Sequence, residues 1–314
     1  MEFLDAPTVA DRLATEPLMR ALSVLFAEGC TTPVRHAHRI EVPGSADGTL
    51  LLMPSWRSGA YLGTKLVSVF PGNSALGLPA VASIYILMDA RNGLPLAMMD
   101  GDTLTARRTA ATSALAAQHL ARKDTRHLLI VGSGRIAREL ALTHWQARPG
   151  LESIRIWSRS VNRAEALAHE LCGLGLPASV APELHSAAYA ADLVSVATLS
   201  TEPLLKADWI RPGTHIDLVG AFRAGMREAE DALVARARVV CDTRAGVLTE
   251  ADDVRIPLSL GLIKDGDVAE LADLCRGTLE GRHDAEEITL FKSVGAALED
   301  LAAAMTVYGV PAFS

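Results

Sequence analysis

The stretch His127-Leu128-Leu129-Ile130-Val131-Gly132-Ser133-Gly134-Arg135-Ile136-Ala137 decides the fold. Its first five residues are a nearly continuous apolar run, the pattern of a parallel strand covered on both faces. The run passes straight into G-x-G-x-x-A, and a helix reading to about Ala147 follows. The first glycine permits the tight turn, and the second lets a pyrophosphate approach the backbone. A small third residue allows the helix to close on the strand, and the helix N-terminus favours negative charge. The motif alone is weak, but a strand before it and a helix after it supply the context it needs. Residues Gly132, Ser133, Gly134, Arg135 and Ile136 are therefore the candidate dinucleotide turn.

Downstream, strands are expected at 153–157, 192–198, 214–221 and 237–242, with helices at 162–171 and 228–236. Strands alternating with helices point to βαβ units and a parallel sheet. The second strand ends Trp157-Ser158-Arg159-Ser160, where an NAD site would place an acid on the ribose. That acid is missing. Ser158, Arg159 and Arg163 could instead hold a 2′-phosphate, whose geometry suits a planar guanidinium. This favours NADP(H), with NAD(H) as the alternative.

Upstream, short apolar runs at 38–42, 49–53, 63–69, 81–89 and 94–99 are punctuated by Gly, Pro and Asn, as strands are. A helix is expected over 8–28 before them. Together they predict a mostly antiparallel sheet with a helix, an α+β domain. In strand 63–69, Lys65 shares a face with Val67 and Val69, which is costly unless its ammonium meets an anion or reaches water. A long helix is expected over 104–122 with Asp102 as N-cap. Arg107 and Arg108 lie early in it, about 100° apart, so at most one faces a given site. Arg35 reads by itself as surface. The segment 290–309 is expected to be helical.

The chain has 314 residues, about twice a typical domain, so two domains are expected. Hydrophobic residues make up 49%, enough for packed cores, and the formal charge of −7 argues against a nucleic-acid partner. The N-terminus lacks a secretory pattern, and no apolar run reaches membrane-spanning length. The four cysteines are scattered without a CxxC pair, and the nine histidines show no metal spacing. A cytoplasmic protein without metal or membrane partner is expected.

Several motifs together resemble the ornithine cyclodeaminase/mu-crystallin family. They are Lys65-Leu66-Val67-Ser68-Val69-Phe70-Pro71-Gly72-Asn73, Gly77-Leu78-Pro79, and Asp100-Gly101-x-x-Leu104-Thr105-Ala106-x-Arg108-Thr109-Ala110-Ala111. Gly132-Ser133-Gly134, Gly213-Thr214-His215-Ile216 and Thr289-Leu290-Phe291-Lys292-Ser293-Val294-Gly295 continue the match in order. The resemblance implies an α/β protein: a Rossmann-type parallel-sheet domain over 111–291, and a smaller α+β substrate and dimerisation domain over 1–110 and 292–314. It further implies a homodimer with the site in the cleft between the domains. By family position Arg35, Lys65 and Arg108 hold the substrate carboxylate, and Thr109, Thr198 and Ser293 touch the cofactor. Ornithine cyclodeaminases carry an Asp where this chain has Phe222, which can neither accept a proton nor pair with an ammonium. The pattern around Phe222 resembles instead members that reduce cyclic ketimines, with Phe222 as an apolar wall and Lys65, or a water it holds, as the acid. The expected activity is NAD(P)H-dependent reduction of Δ1-pyrroline-2-carboxylate or Δ1-piperideine-2-carboxylate to L-proline or L-pipecolate. The alternatives are ornithine cyclodeamination, a non-catalytic mu-crystallin-like binding protein, and an amino-acid dehydrogenase.

Overall fold

In the computed structural model, residues 1–310 are described; residues 311–314 of the segment 292–314 lie outside the described residues. The strand-rich first part begins with β1 (Glu2–Leu4), α1 (Ala6–Arg12) and α2 (Thr15–Glu28). The single helix expected over 8–28 is thus two. Pro17 has no N–H to offer the Leu13 carbonyl, so the helical ladder cannot run through 13–17. Instead Leu13 caps α1 and Ala14 turns extended before α2. Strands β2 (His36–Ile40), β3 (Gly48–Arg57), β4 (Tyr61–Val69), β5 (Val81–Asp89) and β6 (Pro95–Asp100) follow, then α3 (Gly101–Leu120). Asp102 lies inside α3 rather than capping it. Its carboxylate accepts from the Ser83 hydroxyl, and Asp100 takes the capping role by accepting from the Thr103 N–H at 2.7 Å.

The remaining elements are β7 (His127–Val131), α4 (Arg135–Ala147), β8 (Ser153–Trp157), α5 (Val161–Gly173), β9 (Ala178–Val180), α6 (Leu184–Ala190), β10 (Leu193–Val196) and β11 (His215–Leu218). After them come α7 (Asp231–Arg236), β12 (Arg238–Cys241), α8 (Arg244–Glu250), α9 (Asp252–Ser259), β13 (Val268–Glu270), α10 (Leu271–Arg276), β14 (Thr289–Lys292) and α11 (Ala297–Val307). Residues 290–292, expected to be helical, are instead strand. β14 lies between β11 and β12, so its apolar side chains are covered on both faces, and such a run cannot be told from a buried helix by periodicity.

The chain divides into two compact units: Met1–Arg108 with the chain from Ala296 on, and Thr109–Gly295. The first unit holds a six-stranded sheet in the order β1-β6-β5-β4-β3-β2, antiparallel except for the parallel β1/β6 pair. Along β4 the buried residues are Gly63, Lys65 and Val67, the period-two face of a half-covered sheet. Helix α11 covers that face. It packs on β3, β4 and α2, Ala297 touches Met53 and Val67, and the Ser55 hydroxyl donates to the Ala297 carbonyl at 2.8 Å.

The second unit is an eight-stranded, all-parallel sheet in the order β13-β12-β14-β11-β10-β7-β8-β9. Leu128 and Ile130 join one core with α4 and α5, while Leu129 and Val131 join another with Val194, Ile216 and Leu218. Both faces of β7 are therefore covered, as its apolar run requires. The order β9-β8-β7-β10-β11-β14 is that of two mononucleotide-binding halves meeting between β7 and β10.

Candidate functional site

The backbone at the C-terminal end of β7 fits a dinucleotide. Gly132 sits at φ +134°, and a Cβ there would stand 2.5 Å from the Ala197 carbonyl oxygen, so only glycine is accommodated. Its N–H donates to the Trp157 carbonyl at 2.8 Å, tying the turn to the end of β8. Gly134 is the extended N-cap of α4 with no capping side chain, and a Cβ there would meet nothing within 4 Å. The first turn of α4 thus presents backbone N–H groups toward open space, the arrangement that receives a phosphate. Ala137, fully buried, lets helix and strand close.

Ser133 and Ser158 are brought together, hydroxyl to hydroxyl at 3.0 Å. Arg159 and Arg163 follow on the exposed end of β8 and the start of α5, while Arg135 and Ile136 open α4. Thr198 and Phe222 lie on the loops after β10 and β11, and Phe222 is exposed. Thr109 is buried in α3. The Ser293 hydroxyl, just past β14, donates to Asp242 at 2.9 Å, and Asp242 also accepts the Val294 and Gly295 N–H groups. A cavity of about 690 Å³ opens at the other ends of these strands, beside Arg126, Arg155 and Asp192. None of the expected site residues lines it, and ligands of such sheets bind at the carboxyl ends.

In the first unit, Met53, Lys65, Tyr85 and Met99 form one row across β3, β4, β5 and β6, each buried. Lys65 is the one cation of that row. Its ammonium reaches Asp300 of α11 at 2.8 Å and the Thr105 hydroxyl of α3 at 3.3 Å. Arg108 is the buried member of the Arg107/Arg108 pair. Its Nε donates to Asp300 at 2.9 Å and its guanidinium also pairs with Glu299. Two cations from β4 and α3 thus converge on two fully buried carboxylates of α11. Burial lowers the Lys65 ammonium to about 8, with Asp300 raising it and Arg108 lowering it. Burial pushes Asp300 up, but Arg108 and Lys65 together hold it below its ordinary value. Arg35, half-buried, immediately precedes β2. The β2/β3 register begins at His36↔Leu52 and Met53 faces Lys65 on β4, so Arg35 stands about two strands, roughly 10 Å, from Lys65.

Four acidic residues and one lysine were not singled out from sequence. Glu299 and Asp300 read as ordinary helix acids. Glu228, Asp253 and Lys292 form a second fully buried cluster, with Lys292 Nζ 3.0 Å from Asp253 and 3.8 Å from Glu228. Only the spacing of Lys292 within a buried apolar run could have flagged it.

The family model of the ornithine cyclodeaminase/mu-crystallin family matches residues 6–310. The Δ1-pyrroline-2-carboxylate reductase of Paracoccus denitrificans is 37% identical over 301 residues, 96% of this chain and 94% of that protein. The mouse ketimine reductase mu-crystallin is 34% identical over 316 residues, covering 98% and 96%. Among solved structures, the Thermococcus litoralis Δ1-pyrroline-2-carboxylate reductase in complex with NADH and L-proline superposes with a TM-score of 0.89. It is 35% identical, covering 98% of this chain and 96% of that one. With a glycine turn that fits a dinucleotide, a buried lysine–arginine pair, and a likeness running from end to end, the chain belongs to the ornithine cyclodeaminase/mu-crystallin family.

Proposed function

We propose that this chain reduces the C=N bond of a small cyclic α-imino acid, Δ1-pyrroline-2-carboxylate or Δ1-piperideine-2-carboxylate, to L-proline or L-pipecolate. The observation that carries the reading is the convergence of Lys65 and Arg108 on Asp300. Burying two cations and two carboxylates in one core costs several kcal/mol per ion before pairing, a cost found at functional sites more than in plain cores. Arg108 and Lys65, with Arg35, hold the substrate carboxylate. Lys65 keeps a proton at Nζ and passes it to the imine nitrogen, and the neighbouring imine carbon accepts hydride well only once that nitrogen is protonated. Reduced nicotinamide supplies the hydride when bound. Gly132, Ser133, Gly134, Arg135 and Ile136 receive the pyrophosphate. Ser158, Arg159 and Arg163 face the adenine ribose and favour NADPH over NADH, and Thr109, Thr198 and Ser293 complete the cofactor contacts. Phe222 offers an apolar wall to the ring methylenes. It replaces the acid that cyclodeamination needs, which weighs against that rival.

The first unit is the substrate and dimerisation domain in this reading. Phe3, Val34, Leu76 and Leu78 are exposed apolar residues there, suited to a second copy of the chain. The test is oxidation of NADPH or NADH, followed spectrophotometrically, with each cyclic ketimine, alongside ornithine plus NAD+ with ammonia measured. Turnover with a ketimine and none with ornithine supports the proposal. Ammonia release from ornithine, or cofactor binding without turnover of any ketimine, contradicts it.

A further inference from the structure

Glu228 is fully buried, and its carboxylate collects donors from two loops at once. Oε1 accepts from the Thr198 N–H at 2.8 Å and the Thr198 hydroxyl at 2.9 Å, on the loop after β10. Oε2 accepts from the N–H groups of Gly220 at 2.9 Å and Ala221 at 3.1 Å, on the loop after β11. The two loops touch. A Cβ on Gly220 would stand 2.1 Å from the Thr198 carbonyl oxygen and 2.5 Å from Glu228 Oε1. The acid is itself fixed from behind. Asp253 accepts the N–H groups of Glu228 and Ala229 at 2.8 and 3.1 Å, and Lys292 bridges to Asp253.

A buried carboxylate with four donors is among the stronger and costlier contacts a protein makes. Its place gives it a purpose. The glycine turn and the end of β8 serve the pyrophosphate and the adenine ribose, so the other mononucleotide falls to the second half of the sheet, β10, β11 and β14. The two loops that Glu228 joins are the carboxyl-end loops of that half. We propose that Glu228 is a positioning residue for the nicotinamide end of the cofactor: it locks Thr198 and the turn at 220–222 into one surface. This rests on the cofactor site of the proposed function but not on the substrate.

Glu228→Gln is the sharp variant. An amide has one acceptor oxygen, so its NH₂ must face the N–H donors of one loop or the other, and no orientation satisfies both. Isothermal titration of the purified protein compares NADPH with 2′-phospho-ADP-ribose, and NADH with ADP-ribose; each fragment lacks the nicotinamide. In Glu228→Gln the intact coenzyme should bind about tenfold or more weakly, while the matching fragment stays within about twofold of wild type. Glu228→Asp, which keeps the charge but shortens its reach to both loops, and Asp253→Ala, which removes the acceptor behind Glu228, should each shift the same ratio. These two keep the test decisive if Glu228→Gln does not fold, since neither residue is among the proposed cofactor contacts. Equal weakening of coenzyme and fragment, or no change in either, overturns the positioning role. Failure of the wild-type protein to bind any of the four nucleotides overturns the cofactor reading beneath it.

Discussion

At the scale of single residues, the Lys65 ammonium and the Arg108 guanidinium share the carboxylate of Asp300. Burial has brought Lys65 down to about 8, and Asp300 is the chief group holding it up. If the protonated amine is the acid, kcat/KM for ketimine reduction is full below that value and falls as pH rises through it. Asp300→Asn removes the carboxylate that favours the ammonium, so the descending limb should move to lower pH. A pH–rate profile of both proteins checks this, and an unmoved limb would separate Asp300 from the acid. At the other end of the proposed site, Arg159→Asp places an acid at the end of β8 and should turn the ratio of kcat/KM for NADPH over NADH toward NADH. A constant ratio would mean that the ribose is read elsewhere. Lys65 was legible in the sequence because a lone cation sharing a strand face with Val67 and Val69 is conspicuous. Its partner was not. Asp300 lies far along the chain from Lys65 and 192 positions from Arg108, and an acid on an Ala-rich helix looks like any solvated charge until the helix is packed. Glu228 was hidden for the same reason.

At the scale of elements, β4 and β5 are fitted around one glycine. Gly63 lies on the buried face beside Lys65, and a Cβ there would stand 1.9 Å from the Tyr85 hydroxyl. Gly63→Ala should therefore destabilise the protein by about 1–3 kcal/mol through overpacking, and adding Tyr85→Phe should recover part of the loss. Chemical denaturation of the single and double variants tests this; a neutral Gly63→Ala would show that the sheet yields. A strand that alternates, such as 153–157, and apolar runs, such as 81–89 and 127–131, were read from the sequence at the bounds the structure shows. The short pieces β9, β13, α6 and α8–α10 were not read. Three to eight residues carry too little periodicity, and tertiary contacts set their state. Residues 290–292 failed differently, because a strand buried on both faces and a buried helix share one composition.

At the scale of the whole molecule, the parallel sheet carries a buried polar network at its centre. Asp217 accepts from the Ser195 hydroxyl at 2.7 Å and meets His144 and His215, each at 2.9 Å, while His215 also meets Thr289 at 2.9 Å. Burial holds His215 below its ordinary value, although Asp217 pulls it up. A depressed histidine contributes stability above its unfolded value of 6.5 and loses it on acidification, because the unfolded chain then binds a proton that the folded one refuses. The melting temperature should accordingly fall between pH 7 and pH 5, by up to about 1.4 kcal/mol of stability per pH unit from this group. His215→Asn should flatten the slope, and an equal slope in both proteins would exonerate the network. The most direct test of the central claim, that buried cations hold the substrate by its carboxylate, compares Δ1-pyrroline-2-carboxylate with 2-methyl-1-pyrroline, the same imine ring without the acid. Two charge-assisted contacts predict a kcat/KM ratio of about 10² to 10⁴ in wild type, collapsing by about tenfold or more in Arg108→Ala. A wild-type ratio near one, or a ratio untouched by Arg108→Ala, would contradict the account.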